Sequence, residues 1–202
     1  MQAVESQTLI LYHSDLRGQW PIDAARSLAA QLPYAKRLEV AAHASAAPAT
    51  LAGVALALRA LSTLTGTAVA PGELVFPDGG KPRLVRTAAA AGDGPDFSIS
   101  HSGPWVGCAA VALGLVGFDV ELGTEARLAA WAAREAALKA CGAGLTEARE
   151  VELTEGGARC RGVALAASRL GLFPGAAACV MTSLPVGRLD ARALTLAELF
   201  AP

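Results

Sequence analysis

The sequence predicts a mixed fold of helices and sheet packed in layers, α+β or α/β. Three observations point there. Strand-like and helix-like segments follow one another without regular alternation. Hydrophobic residues make up 53% of the 202 residues and charged residues only 17%, so a sizeable core is available. The apolar half is mostly alanine and leucine with aromatics at 5%, a composition for closely packed elements rather than a few large anchors. This length suits one large domain or two small, closely joined ones.

In chain order, "TLILYH" (8–13) reads as a first strand, β-branched and apolar. "PIDAARSLAAQL" (21–32) reads as a helix, with Pro21 where a helix start tolerates it. "YAKRLEVAAHA" does not declare itself. "ATLAGVALALRALSTLTG" (49–66) is a long, mostly buried helix that stops at Gly66. "ELVF" is a strand, "PDGGKP" a tight turn, and "VRTAAAAGDGPD" (85–96) a mobile loop. "FSIS", "WVGCAAVA" and "LVGFDVEL" are three short strands divided by turns. A helix follows, with Thr124 as N-cap and Gly142 beyond its end. "REVELTEGGARCRGVAL" reads as a hairpin turning at Gly156–Gly157, "AAACVMTSL" as a strand, and "TLAELF" as a final turn or helix. No repeat of fixed period is visible.

A net charge of −1 gives no electrostatic case for nucleic acid or an anionic membrane as partner. The apolar run Trp105–Val120 is broken by Gly107, Gly114 and Gly117 and ends in acids, so no membrane span is expected there. The N-terminus shows no export signal. Cys108, Cys141, Cys160 and Cys179 form no CxxC pair and fit a reducing cytoplasm.

The chemistry gathers in "VGFDVELGTEARLAAWAAREAALKACG" (116–142). Alternate strand residues share a face, so Asp119 and Glu121 project together, away from Phe118 and Val120. On the helix, Trp131, Glu135 and Lys139 recur every fourth residue and form one stripe. A helix packed across the strand would bring Glu135 to the acid pair. Three carboxylates together resist ionising unless a cation joins them. Mg²⁺, or Mn²⁺ in its place, takes such hard oxygen ligands and keeps room for phosphate oxygens, which Lys139 would also reach. Alone, D-x-E is usually a strand's solvent face, and E-x-x-x-K an ordinary helix ion pair of about 0.2–0.5 kcal/mol. Their joint occurrence beside a second polar cluster points to chemistry. In "FSISHSGPWVG", Ser100, His101 and Ser102 meet a Gly-Pro turn, an anion-holding corner, and "GGKP" (79–82) adds Lys81 in a rigid turn.

Read in order, "GGKP", "FSISHS", "WV", "GFDVE" and "WAAREAALKACG" resemble the 4′-phosphopantetheinyl transferases, in their longer monomeric, Sfp-type branch. The likeness is dense from 79 to 142 and weaker outward. It implies two similar α+β halves packed as a pseudo-dimer, residues 1–103 on the coenzyme's adenosine and 3′-phosphate side and 104–202 carrying the acids. It implies Mg²⁺-dependent transfer of 4′-phosphopantetheine from coenzyme A to a serine of an apo acyl or peptidyl carrier protein, releasing adenosine 3′,5′-bisphosphate, in the cytoplasm. Asp119, Glu121 and Glu135 match the metal ligands. Glu135 and Lys139 match the catalytic positions, with Lys139 near the pyrophosphate and either Glu135 or a metal-bound water as the proton acceptor. Lys81, Pro82, Ser100 and His101 match the coenzyme-binding positions. Neither nucleic acid nor membrane is implied.

Three features depart from the family's pattern. Only nine residues separate Glu121 from Trp131, where a longer segment is usual. Arg134 stands where lysine is common. Ala49 stands where a basic residue often contacts the 3′-phosphate, with Arg37, Arg59 and Arg83 as candidate substitutes. The short connection and Ala49 motivate an alternative, a descendant that binds carrier protein or coenzyme A without transfer. A metal-dependent nuclease is a third reading, and the near-neutral charge weighs against it.

Overall fold

The computed structural model describes residues 6–43, 45, 47–78, 80–85 and 94–201. Residues 86–93, most of the segment read as a mobile loop, lie outside them, as does Gly79 of the "GGKP" turn. The fold is α+β. Its elements run β1 (Gln7–Asp15), α1 (Ile22–Gln31), α2 (Tyr34–Ala42), α3 (Ala47–Thr65), β2 (Leu74–Val75), β3 (Arg83–Leu84), β4 (Asp96–Ser102), β5 (Trp105–Val111) and β6 (Val116–Leu122). Then come α4 (Ala126–Cys141), β7 (Glu152–Thr154), β8 (Gly157–Cys160), β9 (Val163–Leu170), β10 (Ala176–Thr182), β11 (Val186–Ala193) and α5 (Leu196–Leu199).

Two sheets organise the chain. The first has strand order β11-β1-β5-β4 and the second β6-β10-β9-β8-β7, while β2 and β3 make a separate short pair. Strand parity divides the apolar side chains among three cores. Ile10, Tyr12, Phe97 and Val106 meet α3 on the outer face of the first sheet. Leu9, Leu11, Trp105, Val116, Phe118 and Val120 fill the space between the sheets with Phe173. Met181, Cys179 and Leu165 meet the alanine face of α4 on the far side of the second sheet. Helix α3 is long and apolar enough to cross a membrane by length and composition, with a mean hydropathy of 1.4. Here Leu51 to Ala57, with Ala60 and Leu61, are buried in the first core.

Several elements add to or shift the sequence reading. Strand β5 pairs with both β1 and β4, and the chain changes sheet between Val111 and Val116. Strand β11 then returns to the first sheet, parallel to β1. Segment 34–42 is a helix with no fully buried residue. The hairpin continues into a third strand, β9. Helix α4 starts one residue later than a Thr124 cap requires: Glu125 is its N-cap, without a side-chain bond, and Gly142 closes it in the left-handed conformation at φ 61°.

Candidate metal and anion site

Strand β4 is an edge of the first sheet and β6 an edge of the second. Between them, alternate β4 side chains form a seam. Asp96 Oδ2 accepts from the Val116 N–H at 2.7 Å, Ser98 Oγ donates to the Phe118 carbonyl at 3.5 Å, and Ser100 Oγ donates to Asp119 Oδ1 at 2.7 Å. Ser102 Oγ accepts from the Leu122 N–H at 3.0 Å. Side chains thus satisfy edge groups that a continuous sheet would pair through its backbone. Lys81 locks the start of the seam, ion-paired to Asp96 and donating to the Val116 carbonyl at 2.7 Å. Burial presses the Lys81 pKa down and the Asp96 pKa up, and their mutual attraction offsets both.

On β6, Val116, Phe118 and Val120 face the inter-sheet core. Gly117, Asp119 and Glu121 therefore face α4. A Cβ on Gly117 would stand 1.8 Å from the Ala136 carbonyl oxygen and 2.5 Å from the Ala140 nitrogen. Helix backbone lies directly on strand backbone there. That close approach places Glu135 and Lys139, on either side of Ala136, against the acid pair.

Ligand oxygens of Asp119, Glu121 and Glu135 lie within 4.8 Å of one another. Asp119 is 1% exposed. Its Oδ1 accepts from Ser100 and, at 2.6 Å, from Lys139 Nζ, which also donates to Ser100 Oγ at 2.9 Å. Its Oδ2 is buried with no hydrogen-bond partner among the described residues. Lys139 Nζ stands 4.0 Å from Glu135 Oε2. Both glutamate pKa values are raised, first by burial and then by the Asp119 charge, with Lys139 pulling the other way. A buried, unpartnered carboxylate oxygen converging with two more carboxylates is a donor set for a hard divalent cation, so these residues fit Mg²⁺ or Mn²⁺.

Beside the acids lies a cavity of about 230 Å³, walled by Lys81, Pro82, Ser98, Ile99 and Lys139 with the end of α4. Lys139 thus meets the distant Lys81–Pro82 pair at one space. Ser100 and His101 do not act together, because neighbouring strand residues point to opposite faces: Ser100 is buried against Asp119, while His101 shares the face of Phe97 and Ile99 and is exposed. The His101 pKa is lowered by lost hydration and then by the Lys139 charge. Arg134 is a structural latch, donating to the carbonyls of Ala148 and Val151 at 2.5 and 2.6 Å. Arg59 is likewise committed elsewhere, to the carbonyls of Leu199 and Ala201. Sequence reasoning missed the seam role of Asp96 and Ser98, although D-x-S-x-S-x-S puts four polar groups on one face.

Two outcomes follow from this geometry. Ser100→Ala removes the hydroxyl that orients Asp119, and divalent-ion affinity measured by calorimetry is expected to fall about 10-fold. The raised Glu135 pKa sets a pH dependence in the metal-free protein. Folded Glu135 holds its proton more tightly than a free glutamate, whose ordinary pKa is 4.5. Its stabilising contribution is therefore fully present below that value and lost as pH rises through the folded pKa. In EDTA the stability of the wild type should fall more steeply over that range than that of Glu135→Gln, which keeps only the contribution of its neighbours such as Glu121.

No model of a known protein family matches the chain, and no curated protein matches it.

Proposed function

We propose that this chain transfers 4′-phosphopantetheine from coenzyme A to a serine of an acyl or peptidyl carrier protein, using Mg²⁺ held by Asp119, Glu121 and Glu135. The observation that carries the reading is the buried, unpartnered Asp119 Oδ2 facing two further carboxylates, next to a cavity with two lysines in its wall. The two-halved fold of the resembling family is part of the proposal, and internal likeness supports it. A first strand, a helix and two later strands assemble as β1-β5-β4 under α3, and again as β6-β10-β9 over α4.

In this reading the transferred phosphoryl group passes from the coenzyme's pyrophosphate to the serine oxygen. One P–O bond forms, one breaks, and adenosine 3′,5′-bisphosphate leaves. Mg²⁺ supplies charge neutralisation at the pyrophosphate. The protein's residues do the rest. Ser100 holds Asp119 by one oxygen and leaves the other presented. Glu135, beside the acid pair, is placed to take the serine proton. Lys81 and Lys139 give the adjoining cavity positive charge suited to phosphate oxygens. The setting is the cytoplasm, where coenzyme A and carrier proteins meet.

The test incubates purified protein with coenzyme A, Mg²⁺ and a panel of apo-carriers, with intact-mass detection. Addition of the phosphopantetheinyl mass to at least one carrier is expected. Folded protein that modifies none of them overturns the proposal.

A further inference from the structure

Lys139 is bound in two senses. Its ammonium donates to Asp119 Oδ1 and Ser100 Oγ and stands 4.0 Å from Glu135, so it sits inside the acid cluster. It is also part of the wall of the 230 Å³ cavity that holds Lys81. Its side chain is 31% exposed, whereas that of Asp119 is 2% exposed, so the lysine is the partner with room to move.

We propose that Lys139 is a built-in competitor of the divalent cation: it occupies the acid cluster while the metal is absent and moves toward the adjoining cavity when the metal enters. This rests on the reading that Asp119, Glu121 and Glu135 hold a divalent ion. The physical cause is like-charge repulsion at short range in a poorly solvated place. An ammonium 2.6 Å from Asp119 Oδ1 shares its carboxylate with any cation bound to the other oxygen. A divalent ion with the lysine held in place would set two cationic groups on one carboxylate, and each weakens the other's hold. Moving the ammonium to the cavity relieves that repulsion and adds a free cation beside Lys81, whose own charge is already shared with Asp96.

Two consequences are measurable. The lysine lowers metal affinity in the absence of an anion. An anion in the cavity, by holding the displaced ammonium, raises it. Because coupling between sites is reciprocal, metal and anion then bind each other's complex more tightly than the free protein. Lys139 thereby makes the site load as a metal–anion pair.

The experiment titrates Mn²⁺ into the full chain by electron paramagnetic resonance, with and without inorganic sulfate, a dianion that chelates Mn²⁺ only weakly, at matched ionic strength. Wild type, Lys139→Met, Lys139→Gln and Asp119→Asn are compared, each checked for a wild-type circular dichroism spectrum. Without sulfate, Lys139→Met and Lys139→Gln are expected to bind Mn²⁺ about 10-fold tighter than wild type. Sulfate should tighten wild type by a similar factor and leave both lysine variants unchanged. Asp119→Asn should lose binding in every condition. If it does lose binding while neither lysine variant gains affinity, the acid site stands and the competitor role is overturned. If wild type and Asp119→Asn bind alike, the acids are not the metal site and both proposals fall. If Lys139→Met alone misfolds, the affinity of Lys139→Gln decides between these outcomes.

Discussion

Gly117→Ala is expected to destabilise the protein by about 3 kcal/mol or more, a large effect for one methyl group. The added carbon would meet the Ala136 carbonyl oxygen at 1.8 Å and the Ala140 nitrogen at 2.5 Å. Both are helix backbone, so no rotamer change relieves the clash, and α4 must lift from β6. Lifting it opens the alanine-lined core beneath and separates Glu135 and Lys139 from Asp119 in the same movement. Chemical unfolding measures the first consequence and Mn²⁺ titration the second. Gly66→Ala is the control. It carries φ +68° with nothing within 4 Å of its Cβ, so only left-handed strain of about 1 kcal/mol is expected.

Asp119→Asn should have the opposite profile, with near-normal stability and function lost. The amide keeps the shape, and its nitrogen, placed at the unpartnered Oδ2 position, can donate toward the neighbouring glutamates. The Lys139 ammonium loses its strongest partner, but it is partly exposed and stays hydrated. The variant removes the central negative charge of the donor set, so transfer in the carrier assay is expected to fall about 10³-fold, while the unfolding midpoint moves little. Similar losses in stability and transfer would mean that Asp119 serves the fold rather than the chemistry.

The contrast between these residues follows what the sequence makes legible. Parity along β6 and the four-residue stripe on α4 suffice to group Asp119, Glu121, Glu135 and Lys139, because each pattern is local. Gly117 has the same parity, two residues before Asp119, and its role could be read from the same rule. The apolar strands around β5, β6 and β10 announce themselves because their side chains are almost all buried. Strand β11 carries no such signal: it contains no fully buried residue, and its parallel partner, β1, lies at the other end of the chain. The same non-local pairing draws β5 into the first sheet. Helix α2 has no buried face to produce a period. The Lys81–Asp96 pair is hidden for a different reason. Each residue looks like an ordinary loop charge until the turn after Phe76 is folded against β4 and β6.

The central claim is that one divalent cation sits between β6 and α4, held by three carboxylates and facing a diphosphate. The most direct measurement is anomalous diffraction at the manganese edge from crystals grown with Mn²⁺ and coenzyme A. A single strong peak bonded to oxygens of Asp119, Glu121, Glu135 and the coenzyme's pyrophosphate is expected, with Lys139 withdrawn from Asp119. Ordered coenzyme with no peak at those carboxylates, or with manganese bound elsewhere on the chain, would contradict the account.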